Sequence, residues 1–217
     1  MSFTYSKEFI IQEYNQSAEH PEEFKKVKWG SLESMMNRFY LAMNELPFSK
    51  ISDWLDVGCG TGAFQVLVRQ QFPHNAGLGV DLNHKLIEYA MKKQLQGMDF
   101  KVADFMKVKN MEFDLITCLG VIQKANFTLS QFFQHVARIL RSQGTLFVDT
   151  KYIGWKEFKN PDFTPEPIHQ WFSVLQIRDA LQTSELQEVK LFGFLPAENK
   201  LVELEDSHTM FLIAKKP

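Results

Sequence analysis

Ile51-Ser-Asp-Trp-Leu-Asp-Val-Gly-Cys-Gly-Thr-Gly62 is an apolar run that ends in an acid and passes into three glycines at alternate positions. Trp54, Leu55 and Val57 give the run the character of a buried strand, and the glycines bound it. Without side chains, the glycines permit a tight turn that brings backbone N–H groups close to a ligand. Ala63, Val66 and Leu67 then recur at helical spacing until Pro73 stops the run. A turn between the C-terminal end of a strand and the N-terminus of a helix is where open α/β sheets bind ligands.

The alternation continues downstream. Residues 77–82 read as a second strand ending in Asp81, after which Asn83 can cap a helix that turns Leu86, Ile87, Ala90, Met91 and Leu95 inward and ends at Gly97. Residues 100–104 form a third short strand ending in Asp104, and residues 113–118 a fourth. Thr128 precedes a helical stripe of Leu129, Phe132, Phe133, Val136, Ala137 and Leu140, and residues 145–148 give a fifth strand. Strands alternating with helices imply parallel pairing with helices on both faces. Residues 188–195 and 208–214 have no helix between them, which predicts an antiparallel hairpin at one edge. The expected fold is a Rossmann-like, doubly wound α/β sheet of seven strands, mostly parallel, with that hairpin at its end.

Two stretches stand outside this rhythm. Residues 1–47 carry a short helical pattern around Phe9, Ile10 and Tyr14, a packing segment with Phe24, Val27 and Trp29, and a long apolar stripe from Leu32 to Leu46 after Ser31. They read as an N-terminal helical cap. Residues 151–172 hold Tyr152, Trp155, Phe158, Phe163, Trp171 and Phe172 among three prolines with no period, as a lid or substrate insert does. Ser173 with Gln176 then signals a capping box and a further helix.

At 217 residues the chain is long enough for one domain. With 23% charged residues and a net charge of -2 it has no electrostatic footprint for nucleic acid. Cys59 and Cys118 make neither a disulfide framework nor a spaced metal set, so no metal is expected and a reducing cytoplasm fits. No run approaches the ~20 apolar residues of a membrane span, and the N-terminus lacks an apolar signal core.

The glycine spacing G-x-G-x-G departs from the dinucleotide pattern G-x-G-x-x-G. Leu-Asp-Val-Gly-Cys-Gly-Thr-Gly, followed by Gly-Val-Asp-Leu, Val-Ala-Asp-Phe and Phe-Asp-Leu-Ile, instead resembles the ordered motifs of class I S-adenosylmethionine-dependent methyltransferases over residues 29–151. From the residues alone, Asp81 lies ~20 positions past the turn, where a nucleotide fold places a carboxylate to accept ribose hydroxyls. The resemblance implies S-adenosylmethionine as cofactor and S-adenosylhomocysteine as product. It places Gly58, Cys59, Gly60 and Gly62 at the methionine moiety, Asp81 and Leu82 at ribose, Asp104 and Phe105 at adenine, and Leu119 beside the cofactor. Asp56 orients the loop and the amino group, and Arg38 is a candidate for the cofactor carboxylate.

Methyl transfer from a sulfonium needs placement and exclusion of water more than a nucleophilic residue. Tyr14 and His169, in the cap and the lid, are the candidate general bases. Motifs of base-, glutamine- and arginine-directed methyltransferases are absent after the fourth strand, so the expected acceptor is a small, partly apolar molecule. Its pocket is expected from Tyr14, Trp29, Tyr152, Trp155 and Trp171. The competing classes are a dinucleotide-dependent oxidoreductase and a non-catalytic methyltransferase-like binding protein.

Overall fold

The computed structural model describes residues 4–217, so the first three residues of the expected cap lie outside the described residues. Three helices open the chain: α1 (Lys7–Ser17), α2 (Glu23–Lys26) and α3 (Leu32–Glu45). The alternating unit follows as β1 (Asp53–Val57), α4 (Ala63–Gln71), β2 (Ala76–Asp81), α5 (His84–Lys92), β3 (Met98–Val102), β4 (Phe113–Cys118), α6 (Leu129–Ile139) and β5 (Leu140–Tyr152). The remainder is β6 (Trp171–Phe172), α7 (Val174–Gln182), β7 (Gln187–Leu195), β8 (Lys200–Val202) and β9 (Thr209–Lys215).

These strands form one sheet in the order β3-β2-β1-β4-β5-β9-β7-β8, with β6 paired to the end of β5. β1 to β5 run parallel, and β9 enters antiparallel between β5 and β7. The sheet thus has nine strands, not the expected seven. The two additions are short: β6 forms where residues 171–172 lie alongside Lys151 and Tyr152, and β8 where the chain doubles back on β7. Neither is long enough to show a period in the sequence.

Alternation along the strands sorts their side chains onto two cores. Leu55, Val57, Leu146 and Val148 pack with α6 and α7 on one face, and Trp54 and Phe147 pack with α3, α4 and α5 on the other. Helix starts follow the capping chemistry: the side chains of Ser31, Asn83, Thr128 and Ser173 accept the N–H groups of Ser34, Leu86, Gln131 and Gln176. Thr128 with Gln131 and Ser173 with Gln176 complete reciprocal boxes.

Three boundaries differ from expectation. β3 ends at Val102, so Asp104 does not close the strand but caps the short turn after it, where its side chain accepts the Met106 N–H. α5 stops at Lys92, beyond which Gln94 takes a left-handed φ of 49°, and Gly97 (φ 77°) serves the turn into β3 instead. Met91, expected inward, is 59% exposed because it falls one position past the buried stripe of Leu86, Ile87 and Ala90. β5 spans 13 residues, beginning at Leu140 rather than Thr145, and seven of them pair with β9. Among the described residues no helix is long and apolar enough to cross a membrane.

Phe147 is fully buried and stands 5.8 Å from the Phe211 ring on β9, where the parallel and antiparallel parts of the sheet meet. Phe147→Ala should lower stability by about 3–5 kcal/mol. Urea unfolding followed by circular dichroism measures it, and a loss under about 1 kcal/mol would show that the junction does not depend on this side chain.

Candidate functional site

The glycine turn is built by backbone hydrogen bonds to the neighbouring strand. The N–H groups of Gly58 and Cys59 donate to the Val80 carbonyl at 2.8 and 3.1 Å, and Gly60 N–H donates to Asp81 Oδ2 at 3.0 Å. Gly58, Gly60 and Gly62 all adopt left-handed φ angles, 71°, 54° and 74°. A Cβ at residue 58 would lie 2.3 Å from Val121 Cγ2, and one at residue 60 would lie 2.6 Å from Val27 Cγ1. Side chains are excluded there by conformation and by space.

A cavity of about 970 Å³, counting its mouth, opens beside this turn at the C-terminal ends of β1, β2 and β4. Of the residues singled out in the sequence, Gly58, Gly60, Asp81, Leu82, Phe105, Leu119, Tyr14, Trp29 and His169 line it. A smaller cavity shares Val27, Trp29, Gly58, Gly60 and Leu119 with it and reaches Asp56, Cys59 and Thr61 under the turn. Gly62 caps α4 and lies on neither wall; a Cβ there would meet Phe100 at 2.9 Å.

Asp81 is the polar centre of the larger cavity. Its Oδ1 accepts the Asn83 N–H at 2.8 Å and its Oδ2 that of Gly60, so each oxygen keeps a lone pair free. Burial pushes its carboxyl above the ordinary range, against the pull of the N–H donors at Asn83, Gly60 and Leu82. Burial, with Asp81's charge next, also raises the Tyr14 phenol, so this candidate base keeps its proton. The other candidate, His169, is pushed down to about 3 by burial and by Lys124 and Lys151, which makes it a neutral but weak base.

Asp104 and Arg38 stand off both cavities. Asp104 forms an ion pair with Lys7 and accepts the Met106 N–H at 3.0 Å. Burial raises its carboxyl, but the Lys7 and Met106 hydrogen bonds outweigh this and hold it below the ordinary range. The cavity wall nearest Phe105, where adenine is expected, is apolar instead, made by Leu86, Ala103, Phe105 and Phe127. Arg38 is 6% exposed: its guanidinium lies 4.6 Å over the Trp29 ring, donates to Ser34 and sits 3.5 Å from Asp149 Oδ2. A buried acid, invisible as a partner in the sequence, holds it there.

Nor does the structure bring Tyr152, Trp155 and Trp171 to the cavity with Tyr14 and Trp29. Trp155 packs edge-on to Phe163 at 5.1 Å and Trp171 to Phe158 at 4.9 Å, so the aromatics of residues 151–172 largely fill one another's space. His169 is that stretch's contribution to the cavity wall. Sequence reasoning passed over Lys28, Gly120, Gln123, Lys124 and Asn126, which line the cavity. Gly120, left-handed at φ 72° directly after β4, was the available signal. It also passed over Glu23, which pairs with Lys93 and accepts the Thr61 hydroxyl, fastening α2 over the glycine turn.

A parallel sheet closed by an antiparallel terminal strand, with a glycine turn and a strand-end acid at one cavity, is the class I methyltransferase fold. Residues 55–148 match the family described as "Methyltransferase domain". It is 25% identical over 146 residues to a malonyl-[acyl-carrier protein] O-methyltransferase of Acetivibrio thermocellus, covering 66% of this chain and 50% of that one, so the match spans half the relative's length. Among solved structures, magnesium protoporphyrin IX methyltransferase of Synechocystis PCC 6803 with bound S-adenosylhomocysteine has TM-score 0.70 at 14% identity, covering 98% and 100% of the two chains. Geranyl diphosphate C-methyltransferase of Streptomyces coelicolor has TM-score 0.68 at 16% identity, covering 99% and 100%. At such identities these likenesses establish the fold.

Asp56, 5% exposed, accepts Thr117 Oγ1–H at 2.6 Å and Gln65 Nε2–H at 2.8 Å, and Thr117 Oγ1 in turn accepts the Trp54 indole N–H. Burial outweighs these bonds and pushes its carboxyl from 3.8 up to about 7. Between those values the folded chain binds more protons at this site than the unfolded chain, so stability falls as pH rises through the window. Asp56→Asn should flatten this fall, which amounts to at most about 4 kcal/mol. Chemical unfolding from pH 4 to 8 tests it: an unaltered slope in the variant would mean that Asp56 ionises normally.

Proposed function

We propose that this protein transfers the methyl group of S-adenosylmethionine to a small-molecule acceptor, releasing S-adenosylhomocysteine. The observation that carries the reading is the convergence of the glycine turn, Asp81 and the apolar wall of Leu86, Ala103 and Phe105 on one cavity. Asp81 retains a lone pair on each oxygen, as two ribose hydroxyls require. The flat apolar wall suits a purine, and the space under the turn near Asp56, Cys59 and Thr61 suits the methionine end. When bound, the sulfonium supplies a methyl group that is already electrophilic.

The chain's own residues then have to exclude water and place the acceptor. Val27, Lys28 and Trp29 come from the cap segment, and Gly120, Val121 and Lys124 follow β4; together they enclose the cavity from two sides. We assign residues 4–47 to a cap and residues 151–172 to an insert bordering the acceptor side, both parts of a single domain. Malonyl-acyl carrier, porphyrin and prenyl diphosphate acceptors occur among the similar proteins, which supports a small or carrier-borne acceptor over a nucleic acid. A neutral His169 and a protonated Tyr14 place proton removal second to positioning.

Isothermal titration with S-adenosylmethionine, S-adenosylhomocysteine and NADH separates this reading from an oxidoreductase; NADH binding without either adenosyl ligand would end it. Asp81→Ala should weaken S-adenosylhomocysteine binding by roughly 2–4 kcal/mol, since charge-assisted bonds are worth ~1.5–3 kcal/mol each and are not additive. Unchanged affinity in a folded variant would remove Asp81 from the site. Release of S-adenosylhomocysteine across a metabolite panel distinguishes turnover from binding alone.

A further inference from the structure

Buried polar groups without partners are few in folded proteins, and each one asks for an explanation. Among the described residues eight such side-chain atoms occur, and four belong to one neighbourhood: Arg38 Nε, Gln123 Oε1, His169 Nδ1 and Trp171 Nε1. Glu166 Oε2 lies 2.9 Å from His169 Nδ1 but off hydrogen-bonding geometry, and its side chain is 68% exposed. The neighbourhood is continuous in the fold. Lys151 of β5 pairs with Trp171 of β6, and Gln170 N–H donates to the Gln123 carbonyl at 2.9 Å.

Cations collect at the same place. The Lys151 ammonium lies 5.5 Å over the Trp171 ring, and among the described residues neither it nor the Lys124 ammonium forms an ion pair or hydrogen bond, with the exposed Glu166 carboxylate attracting both from farther off. The nearby acid Asp149 is already engaged by Arg38 and by the Gly120 N–H at 2.5 Å. Burial first, and then Arg38, pushes the Lys151 ammonium down; burial and then Lys28 do the same to Lys124. Gln123, Lys124 and His169 line the main cavity, so the recess opens onto the space beside the cofactor walls. Three of these four atoms can donate, and with the ammonium groups of Lys124 and Lys151 they gather donors for negative charge beside the cavity wall of Gln123, Lys124 and His169.

We infer that the methyl acceptor is an anion, held through a carboxylate or phosphate group in the recess between the end of β5 and residues 166–171 by Lys124 and Lys151. Trp171 Nε1–H and His169 add hydrogen bonds to its oxygens. The word acceptor rests on the methyltransferase reading; the anion recess stands on the unpaired donors alone.

The test is isothermal titration of the full chain, saturated with S-adenosylhomocysteine, with hexanoate, inorganic phosphate and neutral hexanamide. At least one anion should bind, at least about tenfold tighter than hexanamide, because an ammonium distinguishes charge from an isosteric amide. A preference for hexanoate assigns a carboxylate, and one for phosphate a phosphate group. Lys151→Met and Lys124→Met should each weaken the preferred anion about tenfold while leaving S-adenosylhomocysteine affinity intact, and Lys151→Arg should restore most of the loss. Equal affinity for hexanoate and hexanamide, no anion binding, or wild-type anion affinity in both methionine variants would overturn the inference. Anion binding in a protein that takes up no S-adenosylhomocysteine would instead fell the cofactor reading and leave the recess standing.

Discussion

The hydrogen bond from Gly60 N–H to Asp81 Oδ2 is the contact on which the rest of the site depends. It joins the turn after β1 to the end of β2, and the Gly58 and Cys59 N–H groups on the Val80 carbonyl fix the same junction a step earlier. With β1 and β2 in parallel register, Val57 opposite Val80, the turn has one place to go and must enter it with left-handed backbone. Glycine is what that path allows. The Asp81 carboxylate therefore does two jobs with different lone pairs, one set binding the turn and the other facing the cavity.

Above this rigid junction lies a cover held in another way. Lys7 pairs with Asp104, Glu19 with Lys85 and Glu23 with Lys93, and the Asn83 side chain donates to the Ile11 carbonyl and to Asn15. Partly exposed ion pairs of this kind are each worth about 0–1 kcal/mol, and α1 contributes no fully buried residue. α3, in contrast, sends Met35, Phe39 and Ala42 into the core. The N-terminal segment is thus divided: α3 belongs to the folded body, while α1 and α2 are fastened by contacts that cost little to break. A cavity roofed by Tyr14, Val27 and Trp29 gains an entrance from that division without any loss of core packing.

Most of the fold was legible because its signals are local. The apolar run from Trp54 to Val57 marks a buried strand, Thr128 and Ser173 announce their helices, and Asp81 stands at the strand end where the turn can reach it. The cofactor side of the site is legible for the same reason, since strand ends and turns are written in consecutive residues. What escaped was set by distance. Trp155 and Trp171 read as pocket walls because they are aromatic and aperiodic, yet their rings pack on their neighbours Phe163 and Phe158. Lys124 follows β4 in a stretch with no local signal of its own, and nothing within it tells that Lys151, 27 positions on, comes close. Met91 shows the smaller limit: helical spacing finds a stripe but not its edge.

Overall charge conceals this local pattern. A net charge of -2 describes a surface whose acids and bases pair across it, whereas the acceptor side gathers Arg38, Lys124 and Lys151 where water is scarce. Asp149 can answer one of them. Burial drives Asp149 up and Arg38 down, both toward neutrality, but a guanidinium keeps its proton and so keeps the carboxylate ionised beside it. That pairing consumes the one fully buried acid available and at the same time ties α3 to β5 across Trp29. The two lysines are left without an ion pair of their own by the same contact that stiffens the wall behind them. Structural rigidity and an unmet demand for negative charge therefore have a common origin in the placement of Asp149.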